Sequence, residues 1–288
     1  MESPTQHTVN ESSNKISFVA VLDKASTSDV TVDLLVNGTV EAEDYTSEST
    51  LTFPAGDTAL TITIGIVDDA EDELDETITI TITNPNGATL GTPSSLSFTI
   101  VDNDIPSLQF ANESQKVDEN TGEISVNLSL DIPVCQNISV PYTITGSADK
   151  NDDFTIPGTV DIMANNNSGT IPVDIIDDVL DEPDETILIT LGNPTHASLG
   201  EQENHTITIT DNDTPKVSWS VTSREVAENV GTIDISATLD IMSYTQITVP
   251  FTITGSASDQ DDYSIADSTI EFPPNTQTKT ISLSIIKD

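Results

Sequence analysis

Two acidic decapeptides carry the chemistry open to this chain. Residues 68–77 read DDAEDELDET and residues 177–186 read DDVLDEPDET, an offset of 109. A second signature, Asp102-Asn103-Asp104, returns as Asp211-Asn212-Asp213 at the same offset. Other acids recur at nearly that spacing: Glu11, Glu119 and Glu228; Asp44, Asp153 and Asp262; Asp68-Asp69 with Asp177-Asp178; Glu73 with Glu182; Glu76 with Glu185. Two carboxylates about 5 Å apart repel by roughly 3 kcal/mol at an effective dielectric near 20. Eight together must splay apart, take up protons or hold a cation. Ca²⁺ takes about six to eight oxygens in flexible geometry, so such a set has oxygen enough for more than one ion. Mg²⁺ fits less well because it keeps its waters. Zinc would want His or Cys, and neither recurs.

The elements that must position these acids are strands. In the second repeat Ile124, Val126, Leu128 and Leu130 alternate with polar residues, a period of two. Similar stretches lie at 107–110, 138–145, 159–163, 170–176, 186–191 and 206–210, parted by polar turns, with no helical period. Seven short strands in about 109 residues read as an antiparallel sandwich. Pro141, without an N–H, is expected at an edge or a bulge. The fold class is therefore all-β, as tandem immunoglobulin-like sandwiches. The repeats run over 1–104, 105–213 and 214–288. The first has no counterpart of the 107–110 strand, because Glu11 aligns with Glu119. The third stops at Asp288, which aligns with Asp178, and lacks the last strands. The expectation is a piece of a longer array, with completion by a neighbouring chain as the alternative. In each sandwich the recurring acids fall in loops that meet at one end.

Composition narrows the function classes. Lys and Arg number 8 against 49 acids, a formal net charge of −41. A nucleic-acid backbone or anionic membrane surface would be repelled. No apolar run approaches a membrane span, so no direct membrane insertion is expected. Met1–Gln6 shows neither the basic start nor the apolar core of a signal peptide. One cysteine, Cys135, excludes an internal disulfide framework, which leaves metal as a staple. His7, His196 and His205 do not recur and read as surface residues, and Trp219 reads as core. With no nucleophile-and-base set or phosphate loop, the chain does not read as an enzyme.

Taken together, Glu-Asn before a strand (Glu119-Asn120, Glu228-Asn229), the loops Asp152-Asp153-Phe154 and Asp261-Asp262-Tyr263, the Asp-Asp-x₃-Glu-x-x-Glu-Thr run and the terminal Asp-Asn-Asp resemble the Calx-beta domain. The first repeat departs slightly, with Glu11-Ser12 and Glu43-Asp44-Tyr45. The resemblance covers essentially the whole chain. It implies a sandwich that binds Ca²⁺ in its distal loops. Carried across, site one is Glu11, Asp44, Asp68, Asp69, Glu73, Glu76, Asp102 and Asp104. Site two is Glu119, Asp153, Asp177, Asp178, Glu182, Glu185, Asp211 and Asp213. Site three keeps Glu228, Asp262 and Asp288, and is expected to bind weakly or not at all. Asn103 and Asn212 stand where the family can carry an acid, which should lower charge and affinity.

The expected function is a calcium-binding repeat module of an extracellular or cell-surface protein, with ions stiffening the joints for a spacer or adhesive role. Its partners would be calcium ions and neighbouring repeats of the same protein. The alternative is a Ca²⁺-sensing regulatory module of a membrane transporter such as a sodium/calcium exchanger, the other setting of this family. A cadherin-like adhesin shares the period and the Asp-Asn-Asp joint. It would need a Leu-Asp-Arg-Glu type signature, and the chain has a single arginine, Arg224.

Overall fold

Strand-forming alternation is realised along the whole chain. The structure, a computed structural model, describes residues 7–287. Met1–Gln6 and Asp288 lie outside the described residues, as do the reading of the first as no signal peptide and the place of the second in site three. With Glu11 aligned on Glu119, Gln109 and Phe110 of the 107–110 strand match Met1 and Glu2, which lie outside the described residues.

The first repeat runs β1 (His7–Asn10), a 3-10 turn at Glu11–Ser13, β2 (Lys15–Val21), β3 (Val30–Gly38), β4 (Tyr45–Thr46), β5 (Thr50–Phe53), β6 (Ala59–Ile66), β7 (Glu76–Asn86) and β8 (Ser95–Val101). The second runs β9 (Ser107–Phe110), β10 (Ser114–Asp118), a 3-10 turn at Glu119–Thr121, β11 (Glu123–Leu130), β12 (Ile138–Gly146), β13 (Phe154–Thr155), β14 (Thr159–Ile162), β15 (Ser168–Ile175), β16 (Glu185–Leu191), β17 (Ser198–Leu199) and β18 (Asn204–Thr210). The third runs β19 (Val217–Trp219), a 3-10 turn at Glu228–Val230, β20 (Thr232–Leu239), β21 (Ile247–Pro250), β22 (Tyr263–Ser264), β23 (Thr269–Phe272) and β24 (Thr278–Ile285).

Two sheets face each other in the second repeat, ordered β10-β18-β16-β12-β14 and β13-β15-β11-β9-β17. The first repeat repeats this plan with β1-β8-β7-β3-β5 and β2-β6-β4. Most pairings are antiparallel, but β1 lies parallel to β8, β10 parallel to β18 and the short β17 parallel to β9. The first strand of the fold is thus split. Its opening half, β9, joins the β11 sheet, and its second half, β10, crosses to β18. Sequence alternation missed β10, because Ser114–Asp118 is largely polar and carries a single inward valine. Pro141 lies in the inner strand β12 rather than at an edge. The ladder to β14 ends at Pro141–Thr159 and the ladder to β16 begins at Tyr142–Leu191, so the missing N–H falls at the hand-over.

Inward β-branched and aromatic residues fill the space between the sheets. Leu108, Phe110, Val126, Ile171, Val173, Ile187 and Ile207 are buried in the second repeat, and Ile62, Ile64 and Ile78 in the first. The third repeat buries a smaller cluster around Ala237, Leu239, Ile270, Phe272 and Ile281. Trp219, read as core, is 46% exposed. Phe110 stands 109 positions earlier, is 1% exposed, and packs 5.4 Å from His205 on β18. Among the described residues the third repeat has no counterpart of β16 or β18. Among the described residues nothing takes the place of that cover over Trp219. His205, read as surface, is in turn buried, with Nδ1 bonded to the Asn112 carbonyl.

Candidate metal centre

The site is assembled from a turn, two loops and a strand exit. In the first repeat the 3-10 turn holds Glu11, which is 6% exposed, just before β2. The loop between β3 and β4 supplies Asp44, the β6–β7 loop supplies Asp68 to Glu73, β7 opens at Glu76, and the exit of β8 supplies Asp102 and Asp104. The turn forms because Asn10 caps it and Asn14 takes a left-handed conformation at its end. Its Glu11 points inward, where one Oε accepts the Asp69 N–H at 3.3 Å. The second repeat rebuilds these contacts: Glu119 is 9% exposed and accepts the Asp178 N–H at 3.3 Å.

Each of these two repeats gathers two three-carboxylate groups whose oxygens lie within 4.8 Å of one another. One is Glu11, Asp102 and Asp104, matched by Glu119, Asp211 and Asp213. The other is Asp44, Glu73 and Glu76, matched by Asp153, Glu182 and Glu185. Asp68, Asp69, Asp177 and Asp178 flank these groups without joining them. Asp69 and Asp178 hold the buried glutamates through their main chains. Asp68 accepts the Asn103 amide at 3.2 Å, and Asp177 the Asn212 amide at 2.7 Å. The Asn103 Oδ1 also accepts the Ser12 N–H at 2.9 Å, tying the acidic loop to the Glu11 turn. Asn103 and Asn212 therefore act as loop clamps, a role that substituting an amide for an acid does not announce in sequence. In the third repeat Glu228 and Asp262 are both exposed and belong to no such group among the described residues. Asp262 accepts the Ser258 N–H at 2.7 Å, the same loop bond that Asp153 takes from Asp149.

Burial and mutual repulsion push several of the site acids toward their protonated forms. Partial burial, then Asp44 and Asp69, raise Glu73 to about 7. Burial, then Asp44 and Glu73, raise Glu76 to about 7. Burial, then a hydrogen bond to Asp153 and its charge, raise Glu185 to about 8. Glu11, Asp102, Asp104, Glu119, Glu182 and Asp211 are held above their usual range as well, with burial first in each case. No lysine or arginine forms an ion pair with these groups among the described residues; the pair found there is Lys116 with Asp184. Buried oxygens of Asp104, Asp211 and Asp213 have no hydrogen-bond donor. An all-oxygen donor set with raised carboxyls and orphaned buried oxygens suits a hard divalent cation.

A carboxyl raised in the folded state contributes stability that is complete below its unfolded value and is lost as the pH climbs through its folded value. For Glu73, Glu76 and Glu185 that window runs from the unfolded value of 4.5 to about 7 or 8. In EDTA the thermal midpoint should therefore fall as the pH is raised from about 5 to about 8. Saturating divalent cation should flatten or reverse that trend, since protons then compete with the ion. Melts followed by circular dichroism across this range provide the check, and a metal-free midpoint that rises with pH would contradict the electrostatic account.

The Calx-beta domain family profile matches the chain three times, over residues 3–104, 101–213 and 211–288. Among curated relatives, extracellular matrix protein 3 of Lytechinus variegatus is 29% identical over 264 residues, covering 84% of this chain and 8% of that protein. Sodium/calcium exchanger 1 of Canis lupus familiaris is 30% identical over 191 residues, covering 58% of this chain and 20% of the exchanger. The chain thus spans a small fraction of the length of either. Among solved structures, the calcium binding domain CBD12 of CALX1.1 aligns at 19% identity over 70% of this chain and 96% of that one, with a TM-score of 0.33. Three successive profile matches span nearly every residue, and the chain belongs to the Calx-beta domain family.

Proposed function

We propose that this chain is a calcium-binding tandem-repeat module whose first and second repeats each hold Ca²⁺ in paired carboxylate groups at one end. The observation that carries this reading is the recurrence of the two three-carboxylate groups, in the same loops, with Glu76 and Glu185 raised and, among the described residues, no lysine or arginine in ion pairing with them. Bound Ca²⁺ would remove the repulsion that the folded loops otherwise bear. Glu11, Asp44, Glu73, Glu76, Asp102 and Asp104 are the inner ligands of site one. Glu119, Asp153, Glu182, Glu185, Asp211 and Asp213 are those of site two. Asp68, Asp69, Asp177 and Asp178 would complete the shells. Among the described residues Glu228 and Asp262 make no comparable site.

Asp102 and Asp104 leave β8 and lead straight into β9 through Pro106, and Asp211 and Asp213 leave β18 toward β19. The same residues therefore belong to a site and to an inter-repeat linker. Ion binding would order the linker and stiffen the array. The repeats divide at 1–104, 105–213 and 214–288, and the role is binding rather than catalysis. The setting is extracellular or cell-surface, which the likeness to an extracellular matrix protein supports. Among the described residues no helix is long and apolar enough to cross a membrane. The 30% identity to an exchanger favours one second reading, a Ca²⁺-sensing module of a transporter. The two readings share the site and differ in what the array is joined to.

Calorimetric titration of the 288-residue chain with CaCl₂ and, in parallel, MgCl₂ tests the reading. Ca²⁺ should give saturable heat accounting for the four carboxylate groups, and Mg²⁺ much less. A flat Ca²⁺ titration would sink the proposal and leave the loops as solvated surface charge.

A further inference from the structure

One acid of each decapeptide belongs to neither carboxylate group and has a different partner. Asp72 precedes Glu73 in the β6–β7 loop, and its Oδ2 accepts the main-chain N–H of Cys135 at 2.6 Å. Cys135 lies in the second repeat, in the loop between β11 and β12. Asp181, 109 residues beyond Asp72, accepts the main-chain N–H of Tyr244 at 3.3 Å. Tyr244, 109 residues beyond Cys135, lies in the matching β20–β21 loop of the third repeat. Asp181 also forms an isolated parallel bridge with Ser243, which is 3% exposed. The same contact is made at both joints, although the residues that receive it, a cysteine and a tyrosine, have nothing in common as side chains. A main-chain donor explains why: the N–H is supplied by any residue that keeps the loop's shape.

We propose that Asp72 and Asp181 are inter-repeat latches: the acidic loop of one repeat is the docking surface for the loop between the second and third long strands of the next, and the carboxylate fixes their relative angle. The partner it fits is a main-chain N–H at that loop of a following repeat, so one joint geometry serves both junctions. The latch needs no ion. It is also placed to feel one, because the charge of Asp72 acts on Asp102 and Asp104, and that of Asp181 on Asp211. That second part rests on the calcium reading: an ion that draws Asp102 and Asp104 inward would relieve their repulsion of Asp72 and set the latch.

The test uses the full chain with Cys135→Ser, which keeps the main-chain donor, and spin labels at the exposed positions Thr61 and Ser168 after substitution by cysteine. Pulsed dipolar spectroscopy in EDTA reads the distance distribution between the first two repeats. Asp72→Ala should broaden it about twofold, as the joint returns to the mobility of an ordinary linker. Asp72→Asn, which keeps an accepting oxygen, should stay closer to the parent. A distribution for Asp72→Ala that superimposes on the parent would overturn the proposal. Calcium calorimetry on Asp72→Ala supplies the second arm. Unchanged stoichiometry is expected, whereas loss of an ion from the first repeat would make Asp72 a ligand and overturn the latch. Failure of the calcium reading itself appears separately, as absent heat in the parent chain, and leaves the EDTA comparison intact.

Discussion

Replacing Glu119 by glutamine should change the stability of the second repeat in opposite directions with and without calcium. In EDTA the substitution removes a buried charge that burial and then Asp178, Asp211 and Asp213 all disfavour, while the amide oxygen can still accept the Asp178 N–H. The metal-free midpoint should rise. In saturating Ca²⁺ the same change deletes an anionic ligand from the Glu119–Asp211–Asp213 group. Ligand binding to the native state alone contributes about 2.7 kcal/mol at a hundred times the dissociation constant, so a hundredfold loss of affinity forfeits about that much. For a repeat of this size that is a fall of about 10–20 °C relative to the parent in Ca²⁺. Scanning calorimetry in the two buffers reads both signs. A purely structural role for Glu119 predicts a loss in both conditions, and that outcome would remove Glu119 from the site. Glu11 occupies the equivalent turn in the first repeat and should behave alike.

The second large effect is expected at Gly146. This residue ends β12 with a φ of +143°, and a Cβ built there would lie 2.0 Å from the Thr186 carbonyl oxygen. Gly38 in the first repeat repeats the situation, with φ +144° and 1.8 Å to the Thr77 oxygen. Backbone atoms of a paired inner strand cannot move aside cheaply, so Gly146→Ala combines an unfavourable φ with a main-chain clash, about 3–5 kcal/mol in all. Thr186 follows Glu185, so whatever relief the strand finds displaces a proposed ligand. Both the melting midpoint of the second repeat and its calcium affinity should fall. Gly255 is the built-in control: its φ is +153°, yet nothing stands within 4 Å of the added Cβ. Gly255→Ala should cost only the conformational part, about 1–2 kcal/mol. Equal effects at Gly146 and Gly255 would show that φ alone matters and that the approach to Thr186 does not.

Gly255 and Trp219 make the same physical point about the third repeat. Both are the same residue types, or close equivalents, as their partners in the second repeat, but among the described residues Gly255 meets open space where Gly146 meets β16, and Trp219 is half exposed against Phe251 where Phe110 is buried. A residue's environment is set by what packs over it, and strands that pair across the sandwich come from distant parts of the chain.

Period alone established the tandem plan, because a 109-residue offset in two acidic signatures has no cause other than a repeated unit. Alternation established the strands wherever one face is apolar and the other polar, as along β11 and β15. The types of the recurring acids pointed to the chemistry proposed, since an oxygen-rich set without recurring His or Cys suits calcium better than zinc. What tertiary structure decided was which acids meet. The recurrence of Glu73 with Glu182 marked a candidate ligand, whereas nothing in the sequence reading marked Asp72, which turns to the following repeat. It likewise treats Asn103 as a missing charge, where the fold uses it to clamp Asp68 to the Glu11 turn. His205 reads as a surface polar residue and is buried with Phe110 packed against it and its Nδ1 on the Asn112 carbonyl. These outcomes depend on side-chain direction within irregular loops and on pairings between residues about 60–100 positions apart, and loop closure leaves no periodic trace in the sequence.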